Sequence, residues 1–481
     1  MSHTRRDFLR QSGCAMLAAG GGGLLATGIR DFGLVNALAQ GASGGDYKAL
    51  VCIFLNGGND GNNTVVPLDD SRYASYASAR SGAGLAIPRS GAGSLLPINP
   101  ASGGQYGLHP SLPELQALFN QGKLAAICNA GPLAEPLTKA AYQSGAGKRP
   151  FQLFSHSDQV NQWLTSISNE NSQTGWGGRT ADRTGALNGA ATFPQLISIA
   201  GVNLFVTGST TRPLAIADAN TQLQNVLALN NPANINGVNY TTTQNDARRA
   251  AFDALRTFDR EAVMVKAAGD ITTSALATGG ALATGDSSIA TVFPANNPLA
   301  SQLLQVARLI KLRGSLGMKR QIFFCSLGGF DTHNNQMQAN GHTLLLARIS
   351  QAMKAFYDAT VELGVANQVT TFTHSDFGRT LQPAGAGAAV GSDHAWGNHH
   401  FIMGGAVRGG DLYGQYPTLQ LGGPDDTDDP NRNPRGRWIP TTSVEQYAAT
   451  LALWYGLSAS DLPIVFPLIG RFATPNLNFM L

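Results

Sequence analysis

The chain is predicted to fold as an α/β protein on a mostly parallel central sheet with helices on both faces. Two patterns predict this. Short apolar runs ending in Gly, Asn or Asp recur: "ALVCIFLNGGND" (49–60), "LAAICNAGP" (124–132), "ATFPQLISIAG" (191–201), "RQIFFCSLGGFD" (320–331) and "NQVTTFTHSDFG" (367–378). Between them lie amphipathic helical patterns, among them "SLPELQALFNQ" (111–121), "LASQLLQVARLIKLRG" (299–314) and "HTLLLARISQAMKAFYDATVELG" (342–364). Strands of this length alternating with helices build a covered sheet, and such sheets carry their chemistry where strand carboxyl ends open into loops. At 481 residues and 43% hydrophobic content the chain can bury a large core.

Taken in order, the chain opens on "HTRRDFLRQS", with Arg5 and Arg6 ahead of Phe8 and Leu9. A weakly apolar, glycine-rich run follows, then a small-residue site at Ala37 to Ala39. This predicts a twin-arginine signal over 1–39 and a single domain over 40–481. The expected product is a periplasmic or secreted bacterial protein that passes through the twin-arginine translocase. No stable membrane span is expected, because no stretch approaches the roughly 18 apolar residues a spanning helix needs. Cys14 precedes the apolar run, which argues against a lipoprotein box.

Charged residues make up 13% of the chain at net charge +3, with no basic stripe interleaved with aromatics, so no nucleic-acid partner is expected. Cys52, Cys128 and Cys325 sit inside strand-like runs and read as small buried hydrophobes. Residues of about 205–300, rich in Asn, Ala and Thr, read as an insertion or helical cap carrying a mobile loop. The segment "PDDTDDPNRNPRGR" (424–437) reads as a solvated loop in preference to a calcium site, since its acids lack a ligand ladder.

The histidines carry the functional signal. Beyond the signal, all except His342 lie in short polar motifs: His109, His156 in "FSHSDQ", His333 in "FDTHNNQ", His374 in "THSDFGRT", and His394, His399 and His400 in "GSDHAWGNHH". Asp331 and His333, two apart in an extended segment, point the same way, and carboxylate with neutral imidazole suits Zn or Mn. Asp60 follows the first strand among glycines and reads either as a ligand or as the head of an Asx-turn. Asp376 ends another strand, and Arg379 could pair with it or with an anionic substrate. The "GSDHAWGNHH" stretch reads as a loop for metal or substrate contact. Ser155 and Ser157 stand at a helix start, as nucleophile candidates or as caps. A Ser-His-Asp triad on His156 is not expected, since no G-x-S-x-G elbow is present.

With these residues in view, the chain resembles the twin-arginine-exported family called domain of unknown function 1501. The resemblance rests on "FLNGGNDGNNTVVP", "GLHPSLPELQALFNQGKLA", "LFSHSDQVNQW", "GWGGRTAD", "LGGFDTH", "THSDFGRT", "SDHAWGNHHFIMGGAVRGG" and "RGRWIPTTSVEQYAATLALWYGL". That family is grouped with the alkaline phosphatase and sulfatase superfamily, which implies an alkaline phosphatase-like fold and metal-dependent cleavage of phosphate or sulfate esters. The resemblance implies metal ligands at Asp60, Asp331, His333 and Asp376, with a further one among His394, His399 and His400. It implies a nucleophile at Ser157, or Ser155; in an enzyme of this kind Arg379 or Arg179 could bind the ester oxygens. Zn or Mn is the expected ion, with Ca or Mg as alternatives. The expected substrate is a small anionic ester or a sulfated or phosphorylated polymer. The chain departs from the superfamily pattern at Phe377, where a His or Asn is usual, and in the closer spacing of Asp331 and His333. Those departures support an alternative: a non-catalytic exported protein that keeps the fold with a degenerate metal site and binds another exported protein.

Overall fold

The structure, a computed structural model, describes residues 47–223, 234–235, 238–239, 241–258, 263–283 and 285–481. The 1–39 signal and part of the 205–300 segment lie outside the described residues. Among those described, nine strands form the main sheet. They are β1 (Lys48–Leu55), β2 (Leu124–Gly131), β3 (Leu196–Ser198), β4 (Leu214–Ala215), β5 (Arg320–Leu327), β6 (Val369–Ser375), β7 (Asn398–Gly404), β8 (Leu412–Gly414) and β9 (Thr442–Ser443). The order is β8-β2-β7-β6-β1-β5-β3-β4, with β9 also paired to β2. All pairings are parallel except those of β7, which runs antiparallel to both β6 and β2.

Alternation along β1 sorts the core into two layers, because successive side chains point to opposite faces. Val51, Ile53 and Leu55 pack with Leu115, Leu118, Leu303, Val306, Ile349 and Met353. These come from helices α2 (Pro113–Asn120), α5 (Pro298–Lys311) and α6 (His342–Glu362). Leu50, Cys52 and Phe54 pack on the other face with Trp163, Leu164, Trp176, Ala181, Ala448 and Leu451. Those belong to α3 (His156–Thr165), α4 (Trp176–Thr184) and α7 (Val444–Tyr455). Covered on both faces, β1 reads as a continuous apolar run, as a central parallel strand should. Cys52, Cys128 and Cys325 are buried and unpaired.

Helix starts follow local chemistry. Asn297 caps α5 by accepting from Leu299 and Ala300 N–H, with Pro298 in the first turn. Ser443 and Gln446 form a capping box on α7. Of the 205–300 segment, Leu214–Ala215 joins the sheet edge, Ile216, Leu223 and Leu282 enter the core, and helices span Thr242–Thr257 and Val263–Ala283. Among the described residues, no helix is long and apolar enough to cross a membrane.

The "GSDHAWGNHH" stretch is not a loop. Its first part, Gly391–His394, pairs with Arg379–Ala384 as a two-stranded ribbon, and its end begins the fully buried β7. The apolar run "FIMGG" explains this, since it draws the two preceding histidines into the sheet. The acid-rich 424–437 segment is likewise more structured than a solvated loop. Asp426 is buried and accepts N–H bonds from Gly422, Asp428, Gly436 and Arg437. The Lys139 ammonium donates to the carbonyls of Gly422, Gly423 and Asp428, at 2.7, 3.0 and 2.6 Å, and supplies a positive charge inside the turn.

Glu445, near the start of α7, is fully buried, and burial pushes its carboxyl up to about 8 against the pull of Arg179 and Arg471. The folded state therefore holds a proton that the unfolded chain releases near the ordinary 4.5. This contribution to stability is complete below that value and is lost as pH rises towards about 8. Glu445→Gln is expected to remove that decline, so its unfolding midpoint should exceed the wild type's at pH 8. Equal pH slopes for the two proteins in thermal unfolding would contradict it.

Candidate metal centre

The site lies at the carboxyl end of the sheet, over the adjacent mouths of β5, β1 and β6. Leu55 stands opposite Leu327 on one side and Ser375 on the other, so the chain turns upward at the same level on all three strands. The turn after β1 needs Gly57, which has φ +112°, and any Cβ there would lie 2.3 Å from Asp331 N. Gly391 is needed for close approach, since a Cβ there would fall 2.3 Å from the His333 carbonyl carbon.

Four side chains converge here: His156, the first residue of α3; Asp331 and His333, beyond β5; and His394, at the end of the ribbon. One ligating atom from each lies within 4.8 Å of all the others. Asp331 Oδ1 is 3.5 Å from His156 Nε2, 3.2 Å from His333 Nε2 and 3.7 Å from His394 Nε2. The Nε2 atoms of His333 and His394 are 2.8 Å apart.

The far side of each ring decides which nitrogen carries the proton. His394 Nδ1 lies 2.9 Å from the Phe154 carbonyl, which can only accept. His156 Nδ1 lies 2.7 Å from Asp376 Oδ2, and His333 Nδ1 lies 3.0 Å from Asp393 Oδ1. Each neutral ring therefore donates from Nδ1 and turns a bare Nε2 lone pair inward. Two such lone pairs 2.8 Å apart repel unless a proton or a metal ion lies between them. An extra proton is disfavoured on His394. Burial, together with His156, Arg379 and His333, holds its pKa below the usual value despite the Phe154 carbonyl. Burial raises the Asp331 carboxyl, but the hydrogen bond and charge of Arg379, with His333 and His156, outweigh it and keep Asp331 ionised.

This donor set fits a transition-metal ion. In a tetrahedral zinc site with bonds of about 2.0–2.1 Å, ligand atoms lie roughly 3.3 Å apart; the three distances from Asp331 and the His333–His394 separation, 2.8 to 3.7 Å, bracket that value, and every pair lies within 4.8 Å. The carboxylate or carbonyl behind each imidazole is the outer support that metal-binding histidines use. The supports are themselves held: Asp376 Oδ1 accepts from Gly57 N–H at 2.9 Å, and Asp393 Oδ2 accepts from Arg435 at 2.6 Å. Phe154 has φ +69°, a left-handed conformation uncommon for a bulky residue, and it is the Phe154 carbonyl that faces His394.

Several residues singled out in the sequence stand elsewhere. Asp60 is fully buried and paired with Arg80, the last residue of α1 (Asp70–Arg80), at 2.6 and 3.0 Å. Its second oxygen also accepts from Gln336 Nε2 at 2.6 Å. A guanidinium thus occupies the position in which a metal would have neutralised Asp60. Asp376 supports His156 instead of facing the centre. His399 and His400 lie inside the sheet on β7. His399 Nδ1 accepts from Asn129 N–H and its ring stacks on Tyr416, while His400 packs on Trp163.

Arg379 spends its donors on the carbonyls of Gly57, Gly58, Phe330 and Ser392 and on Asp331, so it locks the strand mouths together. Arg179 is committed to the carbonyls of Val465, Thr174 and Thr165. The hydroxyls of Ser155 and Ser157 lie 3.1 Å apart, and both donate to Asp158. His156, Asp393 and Arg435 were not foreseen in these roles. The clustering of histidines in polar motifs included His156 but gave no sign that its ring faces inward.

The profile of DUF1501, described as a protein of unknown function, matches residues 47–429. The chain belongs to the DUF1501 family. Comparison with curated proteins gives no match. Among solved structures, this DUF1501 protein is similar to Ps i-CgsB in complex with k-i-k-neocarrahexaose, at 9% identity and TM-score 0.34, covering 90% of this chain and 78% of that one. It is also similar to the lipoteichoic acid synthase LtaP from Listeria monocytogenes, at 7% identity and TM-score 0.32, covering 86% and 73%. A third is the PsFucS1 sulfatase from Pseudoalteromonas sp., at 11% identity and TM-score 0.30, covering 86% and 73%. These likenesses are remote, and what the DUF1501 site can do follows from its own side chains.

Proposed function

We propose that the chain is an exported, metal-dependent hydrolase of phosphate or sulfate esters. The observation that supports this most is the convergence of three inward Nε2 lone pairs and an ionised Asp331 at a strand mouth, each imidazole fixed from behind. Three imidazoles with one carboxylate suit Zn or Mn better than Ca or Mg, which prefer all-oxygen sets. One ion is expected, since Arg80 already neutralises Asp60.

A divalent ion held there would polarise an ester oxygen as a Lewis acid. The chain's own residues would do the rest. Because His156 is the first residue of α3, the unpaired N–H groups of that helix start open beside the ligands and favour an anionic ester group. Ser157, exposed on the same turn, would attack the ester's phosphorus or sulfur and displace the alcohol, leaving a Ser157 ester that water then cleaves, with Ser155 as the second candidate. Asp158, which accepts from both hydroxyls, would take the proton. In this reading residues 1–39 direct export through the twin-arginine translocase to the periplasm or beyond. Residues 40–481 form the working domain, with 205–300 as its cap or insertion, and the substrate is a small anionic ester or a sulfated or phosphorylated polymer.

The test is turnover of 4-nitrophenyl phosphate, bis(4-nitrophenyl) phosphate and 4-nitrophenyl sulfate by the zinc- or manganese-loaded chain. Activity should vanish on chelation, and Ser157→Ala should lower kcat at least about 100-fold, the scale of losing a nucleophile. Full activity in Ser157→Ala would remove that residue's role. One observation favours a second reading, a non-catalytic exported protein that binds a partner. Arg379 and Asp60, which a phosphatase-like site would use, are both spent on internal contacts. Failure of the loaded chain to turn over any of the three esters would favour it.

A further inference from the structure

We propose that Gln336 is a positioning residue for the ion site, holding the two ligand-bearing segments at their binding separation from the buried Asp60–Arg80 pair. The inference rests on the metal-site reading above. Gln336 is fully buried, three residues beyond His333. Its Nε2 donates to Asp60 Oδ2 at 2.6 Å, and because a carboxylate only accepts, this contact fixes the amide orientation. Gln336 Oε1 must then face the other way, where it accepts from the hydroxyls of Ser392 at 2.7 Å and Thr332 at 3.3 Å.

Those two hydroxyls belong to opposite walls of the site. Thr332 lies between the ligands Asp331 and His333, and Ser392 immediately precedes Asp393, which orients His333, and the ligand His394. The backbone repeats the bridge: Ser392 N–H donates to Thr332 O at 3.0 Å, and Gln336 N–H donates to Val390 O at 2.9 Å. The anchor is itself held from several sides. Arg80 is fully buried and uses its donors on Asp60, on Asn63 Oδ1 and on the carbonyls of Thr380 and Leu381. Residues 331–336 thus alternate in purpose. Asp331 and His333 face the ion, while Thr332 and Gln336 face the support that sets the gap between His333 and His394.

The experiment measures zinc affinity by competition with a fluorescent chelator, alongside thermal unfolding of the metal-free protein. Gln336→Met keeps the side chain's length and removes all three side-chain contacts. It is expected to weaken zinc binding about 10-fold, the lower end of the range for losing a direct outer-shell partner, because Gln336 acts through Thr332 and Ser392. Ser392→Ala, a milder change if Gln336→Met folds poorly, is expected to weaken binding several-fold, and Ser392→Thr, which keeps the hydroxyl, should restore it. Tyr455→Phe serves as the control. It removes the hydroxyl that accepts from Gln195 in the core, so it lowers stability without touching the ligand segments and should leave zinc affinity unchanged.

Wild-type affinity in both Gln336→Met and Ser392→Ala would overturn the positioning role while leaving the ion site intact. An equal loss in Tyr455→Phe would reduce the effect to general stability and also overturn it. A wild-type chain that binds no zinc would remove the ion site itself, and this inference with it.

Discussion

Replacing His156 with Ala is expected to weaken zinc binding by more than about 100-fold, a larger loss than any outer-shell substitution should cause. His156 is the ligand for which the sequence offered no metal role, so this variant separates the geometric account from the implied one. The ring supplies one of three inward lone pairs, and its Nε2 is a buried atom without a hydrogen-bond partner in the protein. Removing it leaves three donors. Asp376→Asn should cost less, about 10–100-fold, because it weakens the grip on His156 Nδ1 without removing a donor. His400→Phe should leave affinity within about twofold, since that ring packs on Trp163 inside the sheet. Isothermal titration of the three variants gives the order directly, and loss of binding in His400→Phe with retention in His156→Ala would reverse the assignment.

Stability is expected to fall steeply as pH drops below about 6.5, the ordinary value for histidine. Burial pushes His109, His374 and His399 down to about 3 and His342 to about 4, and it holds His400 well below its ordinary value. In each case the unfolded chain takes up a proton that the folded chain refuses. The penalty is absent above the unfolded value and grows until pH reaches the folded one. Each such group changes stability by about 1.4 kcal/mol per pH unit, so several acting together exceed the reserve of a typical domain within two units. Glu445 acts in the opposite direction, but as a single group. Chemical denaturation at pH 7, 6 and 5 should show the loss well above the carboxylate range, with unfolding by about pH 5. Equal stability at pH 7 and pH 5 would contradict the burial of these rings as neutral groups.

Much of the fold was legible in the sequence, because a parallel sheet imposes a strong pattern. The runs at 49–60, 124–132, 191–201, 320–331 and 367–378 all contain strands of the main sheet, and the three quoted helical patterns hold α2, α5 and α6. The antiparallel β7 was missed because its histidines suggested a loop, although "FIMGG" carried the apolar signal. Of the site, Asp331 and His333 could be proposed because residue type and strand-end position coincide, while His394 stood as one of three late histidines among which the sequence does not choose. The remainder depends on which way a side chain points. Asp60 carries no mark in the sequence of its partner Arg80, which lies twenty residues on in a helix. His156 sits at a helix start where serines drew attention as caps or nucleophiles. Arg379 looked available for an anion, and only the turn geometry shows that carbonyls surround it.

The central claim is that one ion is held by His156, Asp331, His333 and His394. The most direct test is an anomalous-difference map at the zinc edge from a crystal of the zinc-loaded chain. The account predicts one strong peak within bonding distance of the three Nε2 atoms and an Asp331 oxygen, with none beside Asp60. A peak at Asp60 in place of Arg80, or no peak among the four side chains, would contradict it.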